Sequence, residues 1–139
     1  MLKQFLRKSS EGSLFSCVRH GDIEAVRRLL ASGVPVDDID DKGRTPLCLA
    51  AKCAHIETMR ILVAAGAEVN YRGSEGRTPI YHAIYSTSLS AVKLLIESGA
   101  RIDVVDAAGY TPYSYAASWL QTRMLDVLRE PGENAQGSR

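Results

Sequence analysis

The chain has 139 residues, enough for one domain with a continuous core, and its 45% apolar and 24% charged residues are ordinary for a soluble globular protein. A formal net charge of +1 gives no basis for nucleic acid or an anionic membrane as the main partner. No apolar run approaches the roughly 20 residues of a membrane span, and three cysteines without framework spacing suit a reducing compartment, cytoplasmic and/or nuclear.

In chain order, Leu2, Phe5 and Leu6 share one face at helical spacing, with Lys3, Gln4, Arg7 and Lys8 elsewhere. An amphipathic anchor is one reading; the favoured one is a helical cap over residues 1–12 that seals the end of a helical stack. The basic start lacks the sustained apolar stretch of a signal peptide. After Gly12-Ser13 come Leu14, Cys17 and Val18 on a first short helix, then a second, Ile23 to Leu30, that ends at Gly33.

From here the chain repeats itself. Thr45-Pro46-Leu47-Cys48-Leu49-Ala50 returns 33 residues later as Thr78-Pro79-Ile80-Tyr81-His82-Ala83, and again as Thr111-Pro112-Tyr113-Ser114-Tyr115-Ala116. Gly43, Gly76 and Gly109 keep the same phase, as do Val36-Asp37, Val69-Asn70 and Ile102-Asp103. A fixed period of this length means a stack of like supersecondary units. Thr before Pro starts a helix, because the hydroxyl can accept an orphan N–H and Pro has none to leave unpaired. The spacing predicts helices over Pro46–Cys53 and Ile56–Ala65, Gly66 as a left-handed C-terminal cap, and a polar loop to the next Thr. The last unit repeats this with a helix from Thr122 to Leu128, stopped by Pro131-Gly132, and residues 131–139 read as a disordered tail.

Gly43-Arg44-Thr45-Pro46-Leu47-Cys48-Leu49-Ala50-Ala51 and Gly66-Ala67-Glu68-Val69-Asn70 closely resemble the ankyrin repeat pattern. The resemblance covers roughly nine tenths of the chain as four units. It implies an all-α solenoid of stacked helix–turn–helix units with hairpin-like loops, divided at about 13–42, 43–75, 76–108 and 109–130. Two departures stand out. The family's inter-repeat His is replaced by Phe15, Cys48, Tyr81 and Ser114, none with an imidazole's donor and acceptor, so stability is expected to lean more on apolar stacking than on an inter-repeat polar ladder. The family's glycine between the two helices survives as Gly21 but becomes Ala54, Thr87 and Leu120, at a cost of roughly 1–2 kcal/mol where the left-handed turn is kept. Ser86-Thr87-Ser88 is thus expected to be the most irregular turn. Gly73 also replaces the loop Asp kept at Asp40 and Asp106, which makes unit three the loosest.

Little in the chain suggests chemistry. Cys17-x-x-His20, Cys48 and Cys53-x-His55 lack the paired spacing of zinc sites, and Cys17 and Cys48 fall on core-facing positions. No nucleophile elbow occurs, and Gly73-Ser74-Glu75-Gly76-Arg77-Thr78 lacks the Lys of a phosphate loop. Asp37-Asp38 and Asp40-Asp41 read as solvated loop charge. Neither an enzyme nor a cofactor is expected.

Recognition remains. The resemblance implies a partner along the concave side, built from loop tips and first helices, and carries that role onto Lys42, Arg44, Arg72, Arg77, Tyr85, Tyr110 and Trp119. All six tyrosines lie between Tyr71 and Tyr115, and Tyr, Trp and Arg dominate interface hot spots. Tyr81, Tyr113 and Tyr115 have packing between repeats as an equal reading. The expected partner is a protein or peptide with acidic and apolar groups, not nucleic acid or membrane, and the chain is expected to be monomeric alone. Leu62, Glu68, Val69 and Asn70 also resemble the pattern modified by the oxygen-sensing asparaginyl hydroxylase. Asn70 is therefore a modification candidate, beside the plain reading of a hairpin residue making local bonds. The function expected is a non-catalytic protein-interaction module, acting as adaptor or blocking subunit. A stoichiometric kinase-type inhibitor, suggested by size and repeat count, and a structural subunit of a larger assembly are the alternatives.

Overall fold

The computed structural model describes residues 13–119 and 121–129; the expected cap over 1–12, the tail over 131–139 and the turn residue Leu120 lie outside them. Among the described residues there are eight α-helices and no strand: α1 Leu14–His20, α2 Ile23–Ala31, α3 Pro46–Cys53, α4 Ile56–Ala64, α5 Pro79–Tyr85, α6 Leu89–Glu97, α7 Pro112–Ser118 and α8 Thr122–Leu128. A short 3-10 turn, Ser74–Gly76, lies in the loop before α5.

Helix starts follow from the residues that precede them. Thr45 accepts the N–H of Cys48, and Thr111 that of Ser114, whose own hydroxyl accepts the Thr111 N–H in return. Ser13 caps α1 through the N–H of Ser16, so the first unit's helix opens one residue late and is a residue shorter than α3. Thr78 is the exception. Its hydroxyl is buried without a hydrogen-bond partner, and the Tyr81 N–H donates to the Thr78 carbonyl instead.

The turns between paired helices keep one shape whatever residue occupies them. Gly21, Ala54 and Thr87 have φ of 70°, 57° and 59°. Each donates its N–H three residues back, to Val18, Ala51 and Ile84, and the following residue donates to Cys17, Ala50 and Ala83. The expected irregularity at Ser86-Thr87-Ser88 is therefore absent. Ser88 caps α6 through the Ala91 N–H, and these bonds hold Thr87 in the strained region rather than reshaping the turn.

First helices α1, α3, α5 and α7 lie side by side in one row, and second helices α2, α4, α6 and α8 in another. The core sits between the rows. Leu47, Met59, Leu62, Ile80, Ile84, Val92 and Leu95 are fully buried there, and burying each such side chain contributes about 1.5–3 kcal/mol. Ala50, Ala83 and Ala116 recur at the period in units two to four with no exposure, and their small size lets neighbouring first helices approach closely.

Polar bonds also cross between units. The Tyr81 hydroxyl lies 2.7 Å from the Tyr110 carbonyl and 3.0 Å from that of Val104, so a phenol's longer reach spans the gap that the missing imidazole leaves. His55 donates Nε2–H to the Arg19 carbonyl, and Gln121 its amide to that of Ile84. Asp37 accepts the Glu68 N–H, and one period later Asn70 accepts the Arg101 N–H while donating to the Gly99 carbonyl. Asn70 therefore clamps the next unit rather than its own hairpin. Gly73 has a steric reason: a Cβ there would meet the Gly43 carbonyl oxygen at 2.5 Å. Ser74 donates to the Lys42 carbonyl across the same junction, and the Ala107 N–H donates to the Glu75 carbonyl at the next. The tip around Gly73 is thus tied to the tips on both sides.

Three stability outcomes are expected, all read from urea unfolding. Thr45→Val should cost about 1 kcal/mol as a lost cap, whereas Thr78→Val should be neutral or stabilising because it removes a buried, unpaired hydroxyl. Thr87→Gly should raise stability by about 1 kcal/mol by relieving the left-handed strain; no gain would mean the turn relaxes in solution.

Candidate functional site

The 33-residue period places Arg19, Lys52, Tyr85 and Ser118 at equivalent positions near the ends of the first helices, with His20, Cys53, Ser86 and Trp119 next to them. Arg19, Lys52, Tyr85 and Trp119 are all exposed. Tyr85 and Trp119, 55% and 56% exposed, meet edge to face with ring centroids 6.4 Å apart. The Lys52 ammonium lies 5.8 Å from the Tyr85 centroid.

Behind this pair the aromatic contacts continue inward. Trp119 packs on Tyr115 at 6.3 Å, and Tyr115 meets Tyr110 at 6.2 Å and Tyr81 at 5.7 Å. The Arg77 guanidinium sits 4.9 Å over the Tyr115 ring. Tyr81 and Tyr115 are buried, as the packing reading holds, but Tyr113 is 38% exposed and departs from it. Burial, with Asp106 nearby, pushes the Tyr81 phenol up to about 12, so it stays a neutral donor.

The arginines are placed differently from the sequence expectation. Arg44 forms a two-point pair with Asp40, Nη2 to Oδ2 at 2.9 Å and Nε at 3.0 Å, with both side chains largely buried. Burial opposes the charge on Asp40, but the Arg44 N–H, the Arg44 guanidinium and the Lys42 N–H hold its carboxyl below the usual range. Arg77 is shared between Glu75 and Asp106. The Asp106 side chain is 1% exposed; against that burial, the Tyr110 and Ala108 N–H groups and Arg77 keep it ionised and its pKa lowered. Arg72 donates from Nη2 to the Val105 carbonyl, with much of the residue still exposed. Of the expected recognition residues, then, Lys42, Tyr85, Tyr110 and Trp119 face solvent and Arg72 partly does. Arg44 and Arg77 brace the loop tips, because an arginine beside a buried carboxylate is held by it.

The resemblance also puts Lys52 among the first-helix ends of the partner side, whereas His82 was not among the expected site residues. His82 aligns with Leu49 and Tyr115, and its character depends on neighbours distant in sequence. Burial, then the charges of Arg44, Lys52 and Arg77, push its imidazole down to about 4, so it is neutral at pH 7.

Metal constellations do not form among the described residues. No group of three or more His, Cys, Asp and Glu is placed to hold a metal ion, and no helix is long and apolar enough to cross a membrane. Cys17 and Cys48 are buried free thiols, raised chiefly by burial.

Acid should therefore weaken the fold in two stages. Between about 6.5 and 4 the unfolded chain binds a proton on His82 that the folded chain refuses, so stability falls with falling pH by at most about 3 kcal/mol. Below that window Asp40 and Asp106 lose the stability that ionisation supplies above the ordinary carboxylate range. Unfolding free energies across pH should show a flatter upper stage in His82→Gln; identical slopes would remove His82 as the cause.

A family model of ankyrin repeats, in three copies, matches residues 14–106 and, in an overlapping second match, residues 72–137. No curated protein matches the chain. Ankyrin repeats generally serve as protein–protein interaction modules and are typically non-catalytic. The matched span takes in every helix from Leu14 to Leu128, and on that span, with its Thr-Pro helix starts and two-row stack, the chain belongs to the ankyrin repeat family.

Proposed function

We propose that this chain binds another protein non-catalytically through the face made by its first-helix ends and loop tips, as an adaptor or blocking subunit. The observation that carries this reading is the Tyr85–Trp119 pair. Two large aromatic side chains lie exposed against each other at the first-helix ends. Leaving such surface in water is unfavourable unless a partner covers it, and Tyr and Trp are the residues most often found at interface hot spots. Lys42, Arg72 and Tyr110 extend the same face toward the loop tips. A cytoplasmic and/or nuclear location accords with the three free cysteines.

A second surface provides the comparison. Between α2 and α4 lies an open groove of about 510 Å³, lined by Arg27, Leu30, Glu57, Arg60, Ile61, Ala64 and Ala65. Affinity capture from lysate should compare the wild type, Lys52→Glu/Tyr85→Ala/Trp119→Ala and, on the groove, Arg27→Glu/Arg60→Glu, all matched for thermal unfolding. Partners lost only with the triple variant are the expected outcome. Partners lost only with the groove variant would place recognition on the second helices and overturn the assignment of this face.

A further inference from the structure

The chemistry of the binding face is uneven along the stack, and this constrains what fits it. The row begins with cations, Arg19 and Lys52, and ends with aromatics, Tyr85 and Trp119. The internal ion pairs sharpen the division, because they engage Arg44 and Arg77 with Asp40, Glu75 and Asp106. Among the described residues Lys52 has no ion-pair partner, and its neighbour is the Tyr85 ring. A cation beside an apolar surface is incompletely solvated, and a carboxylate brought to it gains a charge-assisted hydrogen bond.

Resting on the interaction face above, we propose that the partner presents an extended segment in which an Asp or Glu lies two to four residues from an apolar, preferably aromatic, side chain. Lys52 takes the carboxylate, and Tyr85 with Trp119 takes the apolar group. The spacing comes from the geometry. Lys52 is 5.8 Å from the Tyr85 centroid, which is 6.4 Å from that of Trp119. The two anchor points thus lie about 6–12 Å apart, or two to four residues at roughly 3.3 Å per residue. The perpendicular rings, 89° between planes, offer two walls to one inserted side chain. Trp119 is backed by Tyr115, which Arg77 and Tyr81 hold from other sides, so little freedom is lost when the site is filled.

Cations beside aromatics also suit single-stranded nucleic acid. The net charge of +1 favours an acidic peptide, because a run of phosphates needs a run of cations to neutralise it.

The test is selection from a phage-displayed library of random peptides about twelve residues long, on wild type, Lys52→Glu and Tyr85→Ala/Trp119→Ala, all with matched thermal unfolding. Wild type should enrich an acid two to four residues from Phe, Trp, Tyr or Leu. Those peptides should bind Lys52→Glu at least tenfold more weakly, and selection on that variant should replace the acid with Lys or Arg. The aromatic double variant should keep the acid preference and lose the apolar one. Enriched peptides that lack the acid–apolar spacing yet bind only the wild type would overturn the proposed partner chemistry and leave the interaction face standing. Peptides that bind all three proteins equally, or no enrichment at all, would overturn the face itself. Tighter binding of a single-stranded thymidine oligonucleotide than of any selected peptide would overturn the peptide class.

Discussion

One helix pair of this chain cannot bury its own apolar side, and everything else in the structure depends on neighbours that do it. Leu47 and Met59 of one pair and Ile80, Ile84 and Leu95 of the next are fully buried in one continuous layer. The alanines at 50, 83 and 116 set how closely the first helices lie. Stability is consequently shared through junctions, so strain within a single turn can be tolerated where the junctions on both sides hold it. Ala54 and Thr87 illustrate this, adopting the left-handed conformation that Gly21 reaches without strain.

The loop tips are organised by a second kind of interaction, buried carboxylates that gather N–H groups. Asp40 and Asp106 each fold their own tip around two backbone donors and draw in an arginine. At the tip between them, which has Gly73 in that place, backbone proximity to Gly43 and bonds from Ser74 and Ala107 across the junctions take over. Arg77 joins this framework to the aromatic group by lying over Tyr115, on which Trp119 packs. Charge held inside the tips thus orders the exposed rings at the ends of the first helices.

The fold was legible because its cause is local and periodic. Thr-Pro helix starts, apolar residues at helical spacing and the 33-residue interval recur in the chain itself, and α3, α5, α7 and α8 lie where those signals put them. The site was legible only in part. Tyr85, Tyr110 and Trp119 were recognised as exposed because their positions in the period lie off the core-facing side. Arg44 and Arg77 fill equivalent positions, yet whether a guanidinium is free depends on which carboxylate the folded loop brings to it.

The amino-acid sequence by itself determined the repeat, the paired helices and the residues available to one face, since each follows from backbone propensity and hydrophobic period. Tertiary structure alone decided which of those residues remain available. It placed Asp106 against Arg77, carried the Tyr81 hydroxyl to the Tyr110 carbonyl, turned Asn70 onto the next unit and left Lys52 beside the Tyr85–Trp119 pair. These are contacts between units about one period apart, and they depend on how neighbouring units settle against each other, a distance no local pattern specifies.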